Sequence, residues 1–413
     1  MYNIYFYIIV IVVVLNFIWE QLLSYLNRKQ MHTEIPEQLQ GLYKPEVYAK
    51  QQLYQKENSR FELISKGFSF TVILVVLFMG IFGWLDSMLR EHLSNLVLLP
   101  LTFFCIIMLI NMIINFPFGW YATFMIEEKF GFNKTTLKLF ITDWFKSVLL
   151  NILIGGLILS IIIYIYQYIS KWFWLLAWGV TFIFSLLINI FYSEWIAPLF
   201  NKQTPLETGD LRNAIETFTQ KAGFEINNIY IIDGSKRSTK SNAYFTGIGK
   251  KKRIVLFDTL INELNTEEIV AVLAHEIGHY KKKHVVYSII GSSISTGITF
   301  YILSLFLDNL LLAKALGGYT PSFHLGLIGF SFLFTPISEL TGLIFLILSR
   351  KNEYKADSYA ADFGLGETLI SGLKKLSIQS LSNLNPHSWV VFWYYSHPTL
   401  LQRIKNLTTN RNQ

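Results

Sequence analysis

The sequence predicts a mainly α-helical membrane protein in which seven spanning helices carry a small polar α+β unit. Three observations predict it. Of 413 residues, 52% are hydrophobic and only 15% charged, too apolar a balance for a water-soluble globule. Seven stretches reach the roughly 20 mostly apolar residues that a spanning helix needs. Polar sequence is gathered into two long segments, from Glu194 to His284 and from Ser349 to Gln413.

The apolar stretches run at about 3–24, 67–85, 97–116, 147–168, 172–193, 285–311 and 322–348. Each is expected to be helical, because in lipid a lone segment can satisfy its backbone polar groups only within itself. The first opens MYNIYFYIIVIVVV, without a basic leader or a small-residue cleavage site, and is read as a retained span. Basic residues set the orientation. Arg28, Lys29, Lys44, Lys50, Lys56, Arg60 and Lys66 follow the first span, and Lys129, Lys134, Lys138 and Lys146 follow the third. The loops after spans two, four and six carry only Arg90, Lys171 and Lys314. The odd-numbered loops and the C-terminal tail are therefore expected in the cytoplasm, with the N-terminus outside. The net charge of +7 then belongs to topology and anionic lipid headgroups, not to a nucleic-acid partner. The single cysteine, Cys105, lies in the apolar run LTFFCIIML, which excludes a disulfide and a cysteine-ligated zinc.

Four regions follow: residues 1–193 with five spanning helices, 194–284 as the first polar part, 285–348 as a two-helix membrane hairpin, and 349–413 as the second polar part. In the first polar part, NAYFTG and RIVLFDTL read as two strands joined by a glycine- and lysine-containing turn. Asn265, ahead of Glu267 and Glu268, reads as the cap of a helix through IVAVLAHEIGHYKKKH, and Lys281 to Lys283 as its headgroup flank.

That helix carries His275-Glu276-Ile277-Gly278-His279, an H-E-x-x-H motif. Residues four apart share a helical face, so both imidazoles can reach one metal ion while Glu276 addresses a water on it. Zinc brings the pKa of such a water toward neutrality, and the carboxylate takes its proton as it attacks a carbonyl. Histidine and carboxylate ligands also suit other divalent ions. A third protein ligand is needed. The membrane hairpin must return the chain to the same face, which delivers Glu353 to the motif helix. Asp357 follows one turn later in NEYKADSYAADF and could accept a hydrogen bond from a metal-bound imidazole.

With these residues in view, the chain resembles the type 1 CAAX prenyl proteases, integral-membrane zinc metalloendopeptidases. Besides HEIGH, the segments that carry the resemblance are IEEKFGFNKTT (126–136), IAPLFNKQTPLETGDLR (196–212), SNAYFTG (241–247), EYKADSYA (353–360) and SHPTLLQRI (396–404), and the span count agrees. The resemblance implies seven helices enclosing an intramembrane chamber, with a zincin-like peptidase domain on the cytoplasmic side. It implies one Zn2+ per chain held by His275, His279 and Glu353, with Glu276 as general base. Asn242 would hold the substrate backbone as an added strand. His397 would donate to the oxyanion, with Arg403 as its electrostatic or positioning partner.

The expected substrates are prenylated CAAX-type or other membrane-associated proteins, in the endoplasmic reticulum of a eukaryote or the cytoplasmic membrane of a bacterium. General membrane-protein quality control and a non-enzymatic scaffold are the rival readings. Glu339, in the seventh span, is expected to face a cavity or a polar partner. His32, His92, His284, His324 and His387 have no metal-ligand spacing and are read as surface or flank residues.

Overall fold

The computed structural model describes residues 1–31, 35, 40–41, 44–224, 228–246 and 253–409. His32 and the turn between the two expected strands lie outside the described residues.

The chain begins with α1 (Ile4–Lys29), α2 (Pro45–Phe78), α3 (Ile81–His92), α4 (Leu98–Tyr121), α5 (Leu137–Leu150), α6 (Gly156–Tyr168), α7 (Phe173–Phe191) and the single turn α8 (Ala197–Phe200). π-Helical turns extend α4 and α7 and join α5 to α6. A polar unit follows: β1 (Gln203–Pro205), α9 (Asp210–Lys221), β2 (Ile229–Ile232), β3 (Ala243–Thr246), β4 (Arg253–Phe257), α10 (Asp258–Glu263) and α11 (Thr266–Lys281). After α12 (His284–Ser304), α13 (Leu310–Ala315) and α14 (Phe323–Asp362), the chain ends in α15 (Gly366–Gln379), α16 (Ser388–Tyr394) and α17 (Leu400–Thr409).

Seven helical segments among the described residues are long and apolar enough to cross a membrane. Two end earlier than expected. The second stops at Phe78, because Gly80 takes a left-handed conformation with φ of +62° and turns the chain into α3. There Gly83 donates its N–H to the Leu316 carbonyl at 2.9 Å, and a Cβ on Gly83 would lie 2.0 Å from the Gly317 carbonyl carbon. Only glycine permits that approach. The sixth span ends at Ser304, and the short α13 packs its apolar face against α14. The seventh overshoots: α14 continues unbroken past the expected end at residue 348 to Asp362.

Polar side chains at bilayer depth persist where they line a cavity. Asn16, Glu20, Lys66, Asn111, Asn115 and Thr335 line one of about 540 Å³. Asn111 also borders a second, of about 1040 Å³, which reaches Asn151 and Cys105. Both lie among the apolar helices.

The sheet runs β1-β2-β4-β3, with β2 and β4 parallel and the outer strands antiparallel to their neighbours. The parallel pair supplies Ile229, Ile254 and Leu256 to a core completed by Ile215 and Phe218 of α9 and Ile269, Ala271, Leu273, Ala274 and Ile277 of α11. Helix α11 is thus buried along its length, and its polar residues lie where tertiary structure needs them. Its start is held by a capping box: Asn265 Oδ1 accepts from Glu268 N at 2.8 Å, and Glu268 Oε2 accepts from Asn265 N at 3.0 Å.

Candidate active site

Gly278 decides how close α14 can come to α11. A Cβ there would lie 3.0 Å from Tyr359 Cβ and 3.1 Å from Ala356 Cα. The bare glycine lets the helices touch, so Glu353 reaches His275 and His279. Glu353 Oε2 lies 3.4 Å from His275 Nε2, and Oε1 lies 3.2 Å from His279 Nε2. The two Nε2 atoms are 3.1 Å apart. These three residues offer ligand atoms within 4.8 Å of one another and could hold one metal ion.

The protonation of the cluster fits a cation. His275 Nδ1 is 2.8 Å from Asp357 Oδ1, so the proton belongs on Nδ1 and Nε2 presents a lone pair. Asp357 is itself gripped by Arg403 of α17, whose Nε donates to Oδ2 at 2.9 Å. Two imidazole Nε2 atoms and a carboxylate then face one point, with Arg403 Nη1 3.8 Å from Glu353 Oε2. Glu353 Oε2 is buried without a hydrogen-bond partner among the described residues. Acceptors facing acceptors repel unless positive charge lies between them.

Arg403 is buried. Burial opposes its charge, but the hydrogen bonds and charge of Asp357 more than offset this and keep its pKa above the ordinary value. A cleft of about 150 Å³ leads to the cluster, lined by Asn242, His275, Glu276, Glu353, His397 and Arg403 among others. Asn242 stands just before the edge strand β3, and its Oδ1 accepts from Ala243 N at 2.9 Å. His397 Nε2 lies 3.4 Å from Glu353 Oε1, and its side chain is 64% exposed. All eight residues singled out in the sequence therefore meet at this one place.

The chain is matched over residues 24–202 by the model of the CAAX prenyl protease N-terminal region with five membrane helices, and over 205–411 by that of peptidase family M48. The chain belongs to peptidase family M48. Among relatives of this family, the CAAX prenyl protease 1 homolog of Arabidopsis thaliana is 35% identical, with 92% of this chain and 93% of that protein covered. CAAX prenyl protease 1 of Saccharomyces cerevisiae is also 35% identical, covering 95% of this chain and 92% of its own. The Homo sapiens homolog is 32% identical, covering 95% and 93%. In three dimensions, the crystal structure of S. mikatae Ste24p superposes with a TM-score of 0.94 at 34% identity, over 98% of this chain and all of that one. The protein is thus a multi-pass membrane metalloendopeptidase of the M48 family.

Sequence reasoning missed or misplaced three features. His284 is buried, with Nδ1 3.0 Å from His279 Nδ1, instead of sitting on the surface. His324, at the start of α14, is fully buried instead of on the surface, its Nε2 2.6 Å from Asp86 Oδ1 of α3. Arg350, one turn before Glu353, donates to the carbonyls of Val391 at 3.1 Å and Tyr395 at 2.5 Å, which fixes the segment leading into His397. A five-residue spacing across a helix break, and contacts to backbone carbonyls, leave no recognisable pattern in sequence.

Proposed function

We propose that this M48 peptidase uses zinc, held by His275, His279 and Glu353, to hydrolyse peptide bonds near the C-terminus of prenylated CAAX-type proteins. The observation that carries the metal reading is the convergence of three acceptor groups on one point beside Glu276. The names of the similar proteins support the substrate class.

When bound, zinc would polarise the scissile carbonyl and activate a water. Glu276, at the cleft wall, is placed to take a proton from an attacking water and pass it to the leaving amine. Asn242 and the edge of β3 away from β4 receive the substrate backbone as an additional strand. His397 donates from Nε2 to the developing oxyanion. Its Nδ1 lies 2.8 Å from Ser396 Oγ, and a hydroxyl donating there leaves the proton on Nε2. Asp357 holds His275 in the tautomer that presents Nε2, and Arg403 holds Asp357. Residues 194–284 and 349–413 act as two parts of one peptidase domain, and the basic loops support placing it in the cytoplasm.

The test is cleavage of a farnesylated CAAX peptide and its unlipidated twin by purified protein. Glu276→Gln should keep one zinc per chain and lose at least 10²-fold in kcat. A metal content of zero in the wild type, or full activity in Glu276→Gln, would overturn the mechanism. Equal cleavage of both peptides would overturn the substrate class.

A further inference from the structure

We infer that His284 is the positioning residue for the second metal-binding imidazole, accepting a hydrogen bond from His279 as Asp357 does from His275. The inference rests on the ligand set proposed above and extends it to a residue outside the motif.

For His279 to ligate through Nε2, its proton must sit on Nδ1, and the N–H of this half-buried ring then calls for an acceptor. His284 Nδ1, at 3.0 Å, is the hydrogen-bond partner found for that nitrogen among the described residues. The ring centroids are 5.0 Å apart and the planes stand at 76°. To accept at Nδ1, neutral His284 carries its proton on Nε2, and that atom is buried without a partner among the described residues. An orphaned buried donor is costly to keep.

The backbone is also arranged for this contact. Helix α11 ends at Lys281, and Lys283 adopts φ of +58°, one of two non-glycine residues with positive φ among those described. A lysine in that conformation costs about 1 kcal/mol or more. The reversal starts α12 at His284 and turns its ring back onto His279 instead of out toward the flank. Both the strain and the orphaned donor are accounted for if the imidazole is needed at that place.

The two ligands are then held by different acceptors, an anion behind His275 and a neutral ring behind His279. With only one carboxylate behind the imidazoles, the site keeps more of its positive charge than a doubly carboxylate-backed one.

The experiment is zinc affinity of the purified full chain, by chelator competition, for His284→Asn, His284→Ala and His284→Leu, with thermal unfolding of the metal-free forms alongside. Asn offers an oxygen near the Nδ1 position, so its affinity should stay within about threefold of the wild type. Ala and Leu should weaken zinc about 10- to 100-fold. If Leu disturbs folding, the Asn and Ala pair makes the same comparison. Equal affinities for Asn and Ala would show that packing alone matters and overturn the assignment, as would affinities for Ala or Leu matching the wild type. Glu353→Ala separates this from failure of the ligand set: if it binds zinc as the wild type does, the ligands themselves are wrong.

Discussion

At the residue scale, the site is a chain of hydrogen bonds that ends on charge. Arg403 holds Asp357, Asp357 holds His275, and His275 is aimed at the point shared with His279 and Glu353. Replacing Asp357 by Asn removes the anion but little volume. Zinc affinity should fall about 10- to 100-fold, read by chelator competition, while buried Arg403 keeps only the more distant carboxylate of Glu353, at 3.8 Å. Arg403→Met should therefore partly rescue the stability of Asp357→Asn, which a double-mutant cycle of melting temperatures would reveal. The motif HEIGH was legible from its spacing alone. Asp357 was legible as an acceptor for a metal-bound imidazole, because it lies one helical turn from Glu353, whereas the contact of His284 with His279 depends on a left-handed backbone turn that a lysine does not advertise.

At the element scale, α11 and α14 form the site by touching, and Gly278 sets their distance. Gly278→Val should cost about 1–3 kcal/mol from overpacking and separate Glu353 from the imidazoles, so that zinc is lost together with stability. Thermal unfolding with and without added zinc measures both. The other end of α11 is fixed by Glu268, which caps the helix and accepts from Ser371 and Lys375 of α15 at 2.7 Å each. Burial would raise its pKa, but the bonds from Lys375, Ser371 and Asn265 prevail and hold it below the ordinary value. A depressed carboxylate stabilises the fold above its unfolded pKa of about 4.3 and loses that contribution as pH falls through the lower folded value. Wild type should accordingly lose stability over that acid range, and Glu268→Gln should lose less there while being about 1–2 kcal/mol less stable at neutral pH. Melting temperatures measured between neutral pH and pH 3 decide this. The helix cap was visible as Asn265 ahead of Glu267 and Glu268. Its link to α15 was not, because that contact spans more than a hundred residues.

At the scale of the whole molecule, the peptidase unit is bolted to the helical bundle by charged contacts. Lys240 donates to Glu127 at 2.7 Å and to Tyr54 at 2.9 Å, and Arg237 donates to Asp143 at 2.8 Å. Burial disfavours the Lys240 charge, yet Glu127 and Tyr54 raise its pKa overall. A raised lysine contributes fully below its unfolded pKa and only loses its effect in strong alkali, so this clamp is constant across physiological pH. With both side chains of that ion pair about one-third exposed or less, Lys240→Met should cost about 1 kcal/mol. Its melting temperature should fall while zinc stoichiometry stays at that of the wild type. A loss of zinc as well would mean that docking to the bundle shapes the metal site itself.

The sequence by itself determined the seven apolar spans and the H-E-x-x-H helix with its cap, and it led to the expectation of a third ligand after the last span. These follow from local periodicity, the length of apolar runs and the chemistry of residues close in the chain. Only the tertiary structure decided where α2 and α12 end, how far α14 runs beyond the hairpin, that His284 meets His279 and that Arg350 holds the Val391 and Tyr395 carbonyls. Those outcomes depend on a glycine contact between distant loops, on two helices approaching at Gly278 and on one left-handed residue. Such contacts join residues far apart in the chain, and a one-dimensional pattern does not carry distances.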